Sequence, residues 1–225
     1  MSQTEFLTPG KFVDSDNPEI VSFAEKAVAG VRGEKARAIA LYLAVRDAVS
    51  YNPYLDYSNP EKFRASDVLK AGQGFCVGKS ALLAACARAV GIAARPGYAD
   101  VRNHIASKKL RDLVQTDIFH WHSYTEMLIE GKWVKSTPAF DSALCARAKL
   151  APLEFDGEND SLFQPFDSEG RKHMEYLQDR GPRADVPFEQ IVSDFKRLYP
   201  RLVTGGIEGG DFKADVEAAA SAEKK

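Results

Sequence analysis

Cysteine is scarce in this chain, and its spacing offers no pairs. Three occur, at Cys76, Cys86 and Cys145. An odd count without a close pair excludes a disulfide framework and predicts free thiols in a reducing cytoplasm. Net charge is also small, at −2 over 225 residues, so no basic surface commits the chain to nucleic acid. Long apolar runs are absent. Ala81 to Val90, broken by Arg88, is far too short for a membrane span. The opening Met1-Ser-Gln-Thr-Glu-Phe-Leu7 lacks a basic region followed by an apolar one, which predicts no secretory signal. No internal repeat interrupts an otherwise ordinary globular composition, 44% hydrophobic and 28% charged. Such a chain builds one sizeable core, with or without an extension.

What the sequence does contain is a stretch that organises the rest. Ala71-Gly-Gln-Gly-Phe-Cys76 is a glycine-rich approach to a thiol. The apolar run to Val90 follows, and Gly91 ends it. This reads as a buried helix with Cys76 in the first turn and Gly91 as its stop. There the helix dipole and unpaired backbone N–H groups favour a thiolate. Gly78-Lys79-Ser80 imitates a phosphate-binding loop, but that pattern needs a glycine at 73, where Gln73 stands. Lys79 is then expected as a solvated charge on the first turn.

Taken in order, residues 1–15 predict an extended arm. Asn17-Pro18 caps and opens a first helix, and Ile39, Tyr42, Leu43 and Val49 recur at helical spacing in a second over 34–49. Ser66-Asp67 starts a short helix. Ile92 to Tyr98 is extended. Residues 102–117 predict a surface loop or an irregular helix near 107–113. His120 to Ile129 and Lys132 to Thr137 flank Glu130-Gly131 as a β-hairpin, with His120, His122, Tyr124 and Glu126 on one face. A short helix over 142–150 follows. Residues 152–187 predict an ordered loop region with a helix near 169–178. Phe188, Ile191, Val192, Phe195 and Leu198 mark an amphipathic helix. Glycines 205–210 form a joint, and 211–225 predicts a frayed tail. The expected organisation is a core over 1–150, an extension over 151–204 packed on it, and a flexible tail over 205–225.

A thiol at a helix start followed by a histidine on a rigid strand is the arrangement of cysteine nucleophile catalysis. Several motifs in the same order resemble the transglutaminase-like superfamily. They are Tyr51 after the second helix, Gly74-Phe-Cys76, Ala81-Leu-Leu83, Arg88-Ala-Val-Gly-Ile-Ala-Ala-Arg95, Gly97-Tyr98, His122 with Glu126 four residues on, and Trp133 after the turn. The resemblance covers 30–141. It implies a papain-like fold using Cys, His and Asp in that chain order. Two positions depart from it. Tyr124 stands where the family has Trp, and Thr137, before Pro138, stands where the family has Asp. Asp141 is the nearest carboxylate, and reaches His122 if Ala139-Phe140 bends the chain back.

The fold expected is therefore α+β, a helical layer on an antiparallel sheet, papain-like. The expected chemistry is acyl transfer through a Cys76 thioester, with His122 as base, Asp141 orienting it, and Gln73 beside the Cys76 N–H as oxyanion donor. The superfamily includes hydrolases and crosslinking enzymes; a small chain without a calcium loop resembles the hydrolases. The substrate expected is a peptide, protein or small amide. A catalytically inactive binding module and a protein-glutamine amine transferase are the alternatives. No cofactor is called for, and no metal, since a His120-x-His122 zinc pair with Cys76 lacks an evident fourth ligand. Cys86 reads as core, Cys145 as partly buried structure, and His104 and His173 as surface residues. Trp121 and Trp133 either wall a cleft or fill core. Oligomeric state is left open by the sequence.

Overall fold

The structure, a computed structural model, describes residues 3–103, 108–162, 174–204, 210 and 212–222. His104 and His173 lie outside them. Helix α1 (Pro18–Ala27) starts as its sequence predicts: the Asn17 side chain accepts from Glu19 N, with Pro18 in the first turn. Helix α2 (Glu34–Ala48) ends at a two-residue strand, β1 (Ser50–Tyr51). Helix α3 (Ala65–Ala71) stops at Gly72, whose φ of 62° is the left-handed stop a glycine supplies. A second short strand, β2 (Gln73–Gly74), pairs in parallel with β1 and delivers the chain into α4 (Cys76–Ala89).

Helix α4 is buried on every side from Cys76 to Arg88. That explains a run without an amphipathic stripe. Helices α1, α2 and α3 cover one side and the sheet covers the other. Gly78 belongs to this packing. A Cβ there would sit 2.7 Å from the Lys62 carbonyl oxygen and 2.8 Å from Val68 Cγ2, so the glycine permits close approach between segments.

Lys79 corrects the sequence expectation. It is not solvated but 0% exposed. Its Nζ donates to the carbonyl oxygens of Arg46, at 2.9 Å, and Val49. The C-terminal turn of α2 has carbonyls without helical partners, and a buried amino group supplies donors to them.

The main sheet has the order β5-β4-β3-β6, antiparallel throughout. Strand β3 (Ala94–Asn103) is followed by α5 (Lys108–Val114), then β4 (Ile118–Ile129) and β5 (Lys132–Ser136). Strand β3 thus extends through Asn103, into the span expected to leave the sheet. Glu130 and Gly131 turn the hairpin with φ of 50° and 83°, the positive values that a two-residue turn demands. On the face toward α4, Thr125 Oγ1 donates to Ser80 O at 2.9 Å, and Met127 and Ile129 join the main core. On the other face Ala99, Val101, Tyr124 and Met174 form a second apolar cluster.

Helix α6 (Ser142–Ala148) follows the hairpin. The region expected as loop and helix instead supplies the fourth strand, β6 (Met174–Pro182), paired along β3 from Asn103↔Met174 to Gly97↔Pro182. Of the helix expected near 169–178, residues 174–178 are therefore strand; 169–173 lie outside the described residues. The physical reason is non-local. The edge of β3 has a row of backbone groups to satisfy, and Arg102 draws in Glu175 at 2.6 Å. The segment after 150 is thus more than a layer on the core, since it completes the sheet.

Helix α7 (Phe188–Leu198) buries Ile191, Val192 and Phe195, as its periodicity predicts. Helices α8 (Pro200–Thr204) and α9 (Phe212–Ala222) follow. A frayed tail was expected where α9 is helical and docked: Phe212 packs edge-on against Tyr51 and Tyr54, both at 5.6 Å. No helix among the described residues is long and apolar enough to cross a membrane.

Candidate active site

Cys76 is the first residue of α4, as the sequence predicts, at 9% exposure. Burial pushes its thiol up to about 11. The backbone N–H groups of Ser123, Val77 and Cys76 itself oppose that rise. The first comes from β4, the other two from the helix start, whose N–H groups have no helical acceptor. Four buried phenols lie within electrostatic reach of the thiol. Tyr51, Tyr57, Tyr98 and Tyr199 are raised above the ordinary tyrosine range by burial first, with the Cys76 charge adding to it.

Strand β4 carries a bulge. Ala99 pairs with His122 and Val101 with Phe119, so His120 and Trp121 together face Asp100. Trp121 takes a φ of 61°. The extra residue breaks the alternation that would put His120 and His122 on one face. His120 turns to Asp100 and Tyr199, with Nδ1 2.8 Å from Asp100 Oδ2 and its backbone N donating to Tyr199 Oη at 2.7 Å. His122 is buried and lines a small pocket with Thr137, Phe140, Leu153, Leu162 and Met174. A shared metal face for the two histidines is lost by the same bulge. Among the described residues no group of three or more His, Cys, Asp or Glu is arranged to hold a metal ion.

Thr137, at the position of the expected carboxylate, lies in the His122 pocket at 5% exposure. Its Oγ1 has no hydrogen-bond partner among the described residues. Asp141 lies elsewhere. It caps α6 through Oδ1 to Leu144 N at 3.0 Å, and Oδ2 accepts from Tyr51 N at 2.9 Å. Lys213 Nζ is 3.8 Å away. Asp141 makes no hydrogen bond to His122. The chain does bend after Pro138, but it bends into a helix start that uses the carboxylate as its cap. Gln73 is exposed, and its Oε1 is held by Asn52 Nδ2 at 3.0 Å.

Of the four expected site residues, Cys76 and His122 lie on packed elements, α4 and β4, with the His122 side chain on the Tyr124 face of the strand beside Met174 and Leu162. Asp141 instead joins the Tyr51 backbone to the start of α6. Trp121 is core, while Trp133 lies under the Arg95 guanidinium, 4.1 Å from its ring, at the turn end of the hairpin. Glu126 pairs with Arg95 at 2.7 Å. Cys86 and Cys145 are buried and reduced.

Sequence reasoning missed the Asp100 cluster. Asp100 is 3% exposed and receives Arg180 Nε and Nη2, the latter at 2.9 Å, along with His120 and the Trp121 N–H at 3.2 Å. Burial alone would raise this carboxyl, but the bonds from Arg180 and His120 outweigh it and hold it below the usual carboxylate value. The signal was present: one carboxylate inside the apolar run Tyr98-Ala-Asp-Val101 needs a buried partner.

Comparison with known proteins agrees with this architecture. A sequence model of the transglutaminase-like superfamily matches residues 21–138, more than half of the chain. A solved structure from Cytophaga hutchinsonii, provisionally described as a cysteine protease, is 19% identical at a TM-score of 0.47. That match covers 80% of this chain and 46% of that one, so the chain spans less than half the length of that protein. No curated protein matches the chain.

Proposed function

The chain belongs to the transglutaminase-like superfamily, and on that premise we propose that it is a cysteine-dependent acyl-transfer enzyme that hydrolyses a peptide or amide bond through a Cys76 thioester. One observation carries this reading. The thiol that opens α4 sits at the start of a helix packed on β4, the strand that holds His122, and Thr125 Oγ1 of that strand is bonded to Ser80 O of the helix at 2.9 Å. In the proposed reaction Sγ attacks the carbonyl carbon while its proton passes to His122. The carbonyl electrons move to oxygen, where the backbone N–H groups at the helix start and at Ser123 are ready donors. Collapse breaks the C–N bond, and His122 returns the proton to the leaving amine. Water, deprotonated by His122, then releases the acid and the thiol.

Because burial keeps the resting thiol neutral, proton transfer accompanies attack instead of preceding it. Substrate is taken to be a peptide, protein or small amide. Amine transfer differs only in the species that resolves the thioester. The test is hydrolysis of a panel of peptide anilides by wild type, Cys76→Ala and His122→Ala. Loss of turnover in both variants supports the reading. Wild-type turnover in Cys76→Ala overturns it.

A binding module without catalysis is the second reading. Thr137 in place of a carboxylate, and a thiol held near 11, favour it. It is distinguished by a Cys76 that never forms an acyl adduct with any substrate, while the protein still retains a partner.

A further inference from the structure

We infer that Asp100 and Arg180 are positioning residues for His122, acting through the left-handed backbone of Trp121. The inference rests on the reading of His122 as the base for Cys76. It begins with an outlier. A tryptophan at φ of 61° is a conformation that a bulky side chain keeps only when its surroundings hold it. Here they hold it on all sides. The Trp121 N–H donates to Asp100 Oδ1 at 3.2 Å, and its indole Nε1 donates to Asp194 Oδ2 at 2.8 Å. The Arg180 guanidinium stacks 4.5 Å over the ring. Tyr98 meets the ring edge-on at 5.4 Å.

Arg180 ties these anchors together. It forks onto both oxygens of Asp100 and approaches Asp194 at 3.7 Å. The fork needs a planar guanidinium; a lysine cannot reproduce it. His120 fills the remaining acceptor of Asp100, so His120 is a member of this cluster and is committed to it.

The location gives the cluster its role. It fixes the residue immediately before His122. The bulge at 120–121 is where the regular register of β4 starts: His122 is the first residue after it, opposite Ala99, and lines the Thr137 pocket, while His120 turns to Asp100. In a regular strand His120 would share the His122 face, and Trp121 would not be held as the hinge between them. A buried charge cluster is a poor device for stability alone, because well-packed apolar residues serve as well. Locking one backbone geometry beside a reacting group is what it does well.

The test uses the full chain and iodoacetamide as the probe. The rate of Cys76 alkylation is followed by mass spectrometry in wild type, Arg180→Leu, Arg180→Lys, Asp100→Asn, His122→Ala and the double variant His122→Ala/Arg180→Leu. His122 titration is read by NMR of labelled histidine, and folding by circular dichroism. We expect Arg180→Leu and Asp100→Asn to change the alkylation rate by about tenfold or more, with Arg180→Lys intermediate, and to shift the His122 titration. In the His122→Ala background Arg180→Leu should add nothing, because it acts through the missing imidazole. Additive effects in the double variant, or an unaltered His122 titration in Arg180→Leu, overturn the inference. If Arg180→Leu fails to fold, the same two readings are taken in Arg180→Lys. If His122→Ala alone leaves alkylation unchanged, the base assignment fails separately. The His122 titration in the Arg180 variants then still decides positioning.

Discussion

Asp141 Oδ2 lies 2.9 Å from the backbone N of Tyr51, and its Oδ1 lies 3.0 Å from that of Leu144. One carboxylate thereby joins β1, at Tyr51, to the start of α6. Its work is mechanical. Asp141→Ala removes a helix cap, worth about 1 kcal/mol, and leaves the Tyr51 N–H without its acceptor at a further ~1–3 kcal/mol. Urea unfolding should show that loss. The alkylation rate of Cys76 in the folded variant should stay within about threefold of wild type, because Asp141 does not touch His122. Asp141→Asn, which keeps both acceptor geometries in part, should be milder.

Thr137 gives the opposite expectation. Its hydroxyl faces the His122 pocket with no partner among the described residues. Thr137→Val should therefore change little in stability or rate. Thr137→Asp introduces a carboxylate beside the imidazole, which favours the imidazolium and moves the His122 titration upward. Catalysis of acyl transfer should rise by about tenfold, at some cost in stability from burying the new charge. Histidine NMR and anilide turnover check the two halves separately. A His122 titration that stays put in Thr137→Asp would remove Thr137 from the site.

The pH dependence of Cys76 follows from its burial. The thiol moves from 9.0 up to about 11 on folding, so between those values the native state binds more protons than the unfolded chain. The stability associated with this group is whole below 9 and is lost as pH rises toward 11. Alkylation of wild type should climb steeply on the alkaline side without a plateau near neutrality. Cys76→Ser should unfold with a flatter stability profile over the same window. A plateau below neutral pH that disappears in His122→Ala would show instead a preformed thiolate–imidazolium pair.

These expectations depend on features that the sequence reveals unevenly. Helix α4 was legible because an apolar run, Cys76 and Gly91 are local signals, and the β4–β5 hairpin because Glu130-Gly131 fixes its turn. Strand β6 was not, since its pairing partner β3 lies far away in the chain and no local propensity announces it. The Trp121 bulge was hidden because alternation assumes one residue per step; only Asp100, facing two residues, displaces the register. Lys79 misled because a charge reads as surface unless the carbonyl groups that receive it are known. Cys76 and His122 were legible as residue types in chain order, whereas the commitment of Asp141 to two backbone amides was a matter of three-dimensional packing.

The sign of the Lys79 effect is opposite to that of Cys76. Burial lowers its ammonium from 10.5 to about 7, against the pull of Asp141 and Asp47. Between those values the unfolded chain binds more protons than the native state, so stability attributable to this group rises with pH above 7 and is lost as pH falls through 7. Lys79→Met removes the titration but leaves the Arg46 and Val49 carbonyls without their donor. The variant should be less stable than wild type by about 1–3 kcal/mol at pH 9. That deficit should shrink by ~1 kcal/mol or more on going to pH 7. Urea midpoints of both proteins at the two pH values measure it. A deficit independent of pH would mean that Lys79 stays charged throughout.

Phe212 offers the last expectation, and it concerns access. The ring packs on Tyr51 and Tyr54, and Tyr51 in turn packs on Phe140 and lies within electrostatic reach of Cys76. Lys213 and Asp215 fasten the same helix, to Ser50 Oγ at 3.0 Å and to Tyr54 Oη at 2.7 Å. Helix α9 therefore backs a wall formed by Tyr51 and Tyr54. Phe212→Ala removes a buried aromatic at about 3–5 kcal/mol if the whole fold unfolds as one unit. If α9 releases by itself, most of that loss is never seen in global unfolding. The alkylation rate then rises, because the wall has lost its support. Measuring both quantities in one variant separates the cases. A rate increase of several-fold with an unchanged urea midpoint identifies α9 as a locally releasable brace. A lowered midpoint with an unchanged rate identifies it as part of the cooperative core.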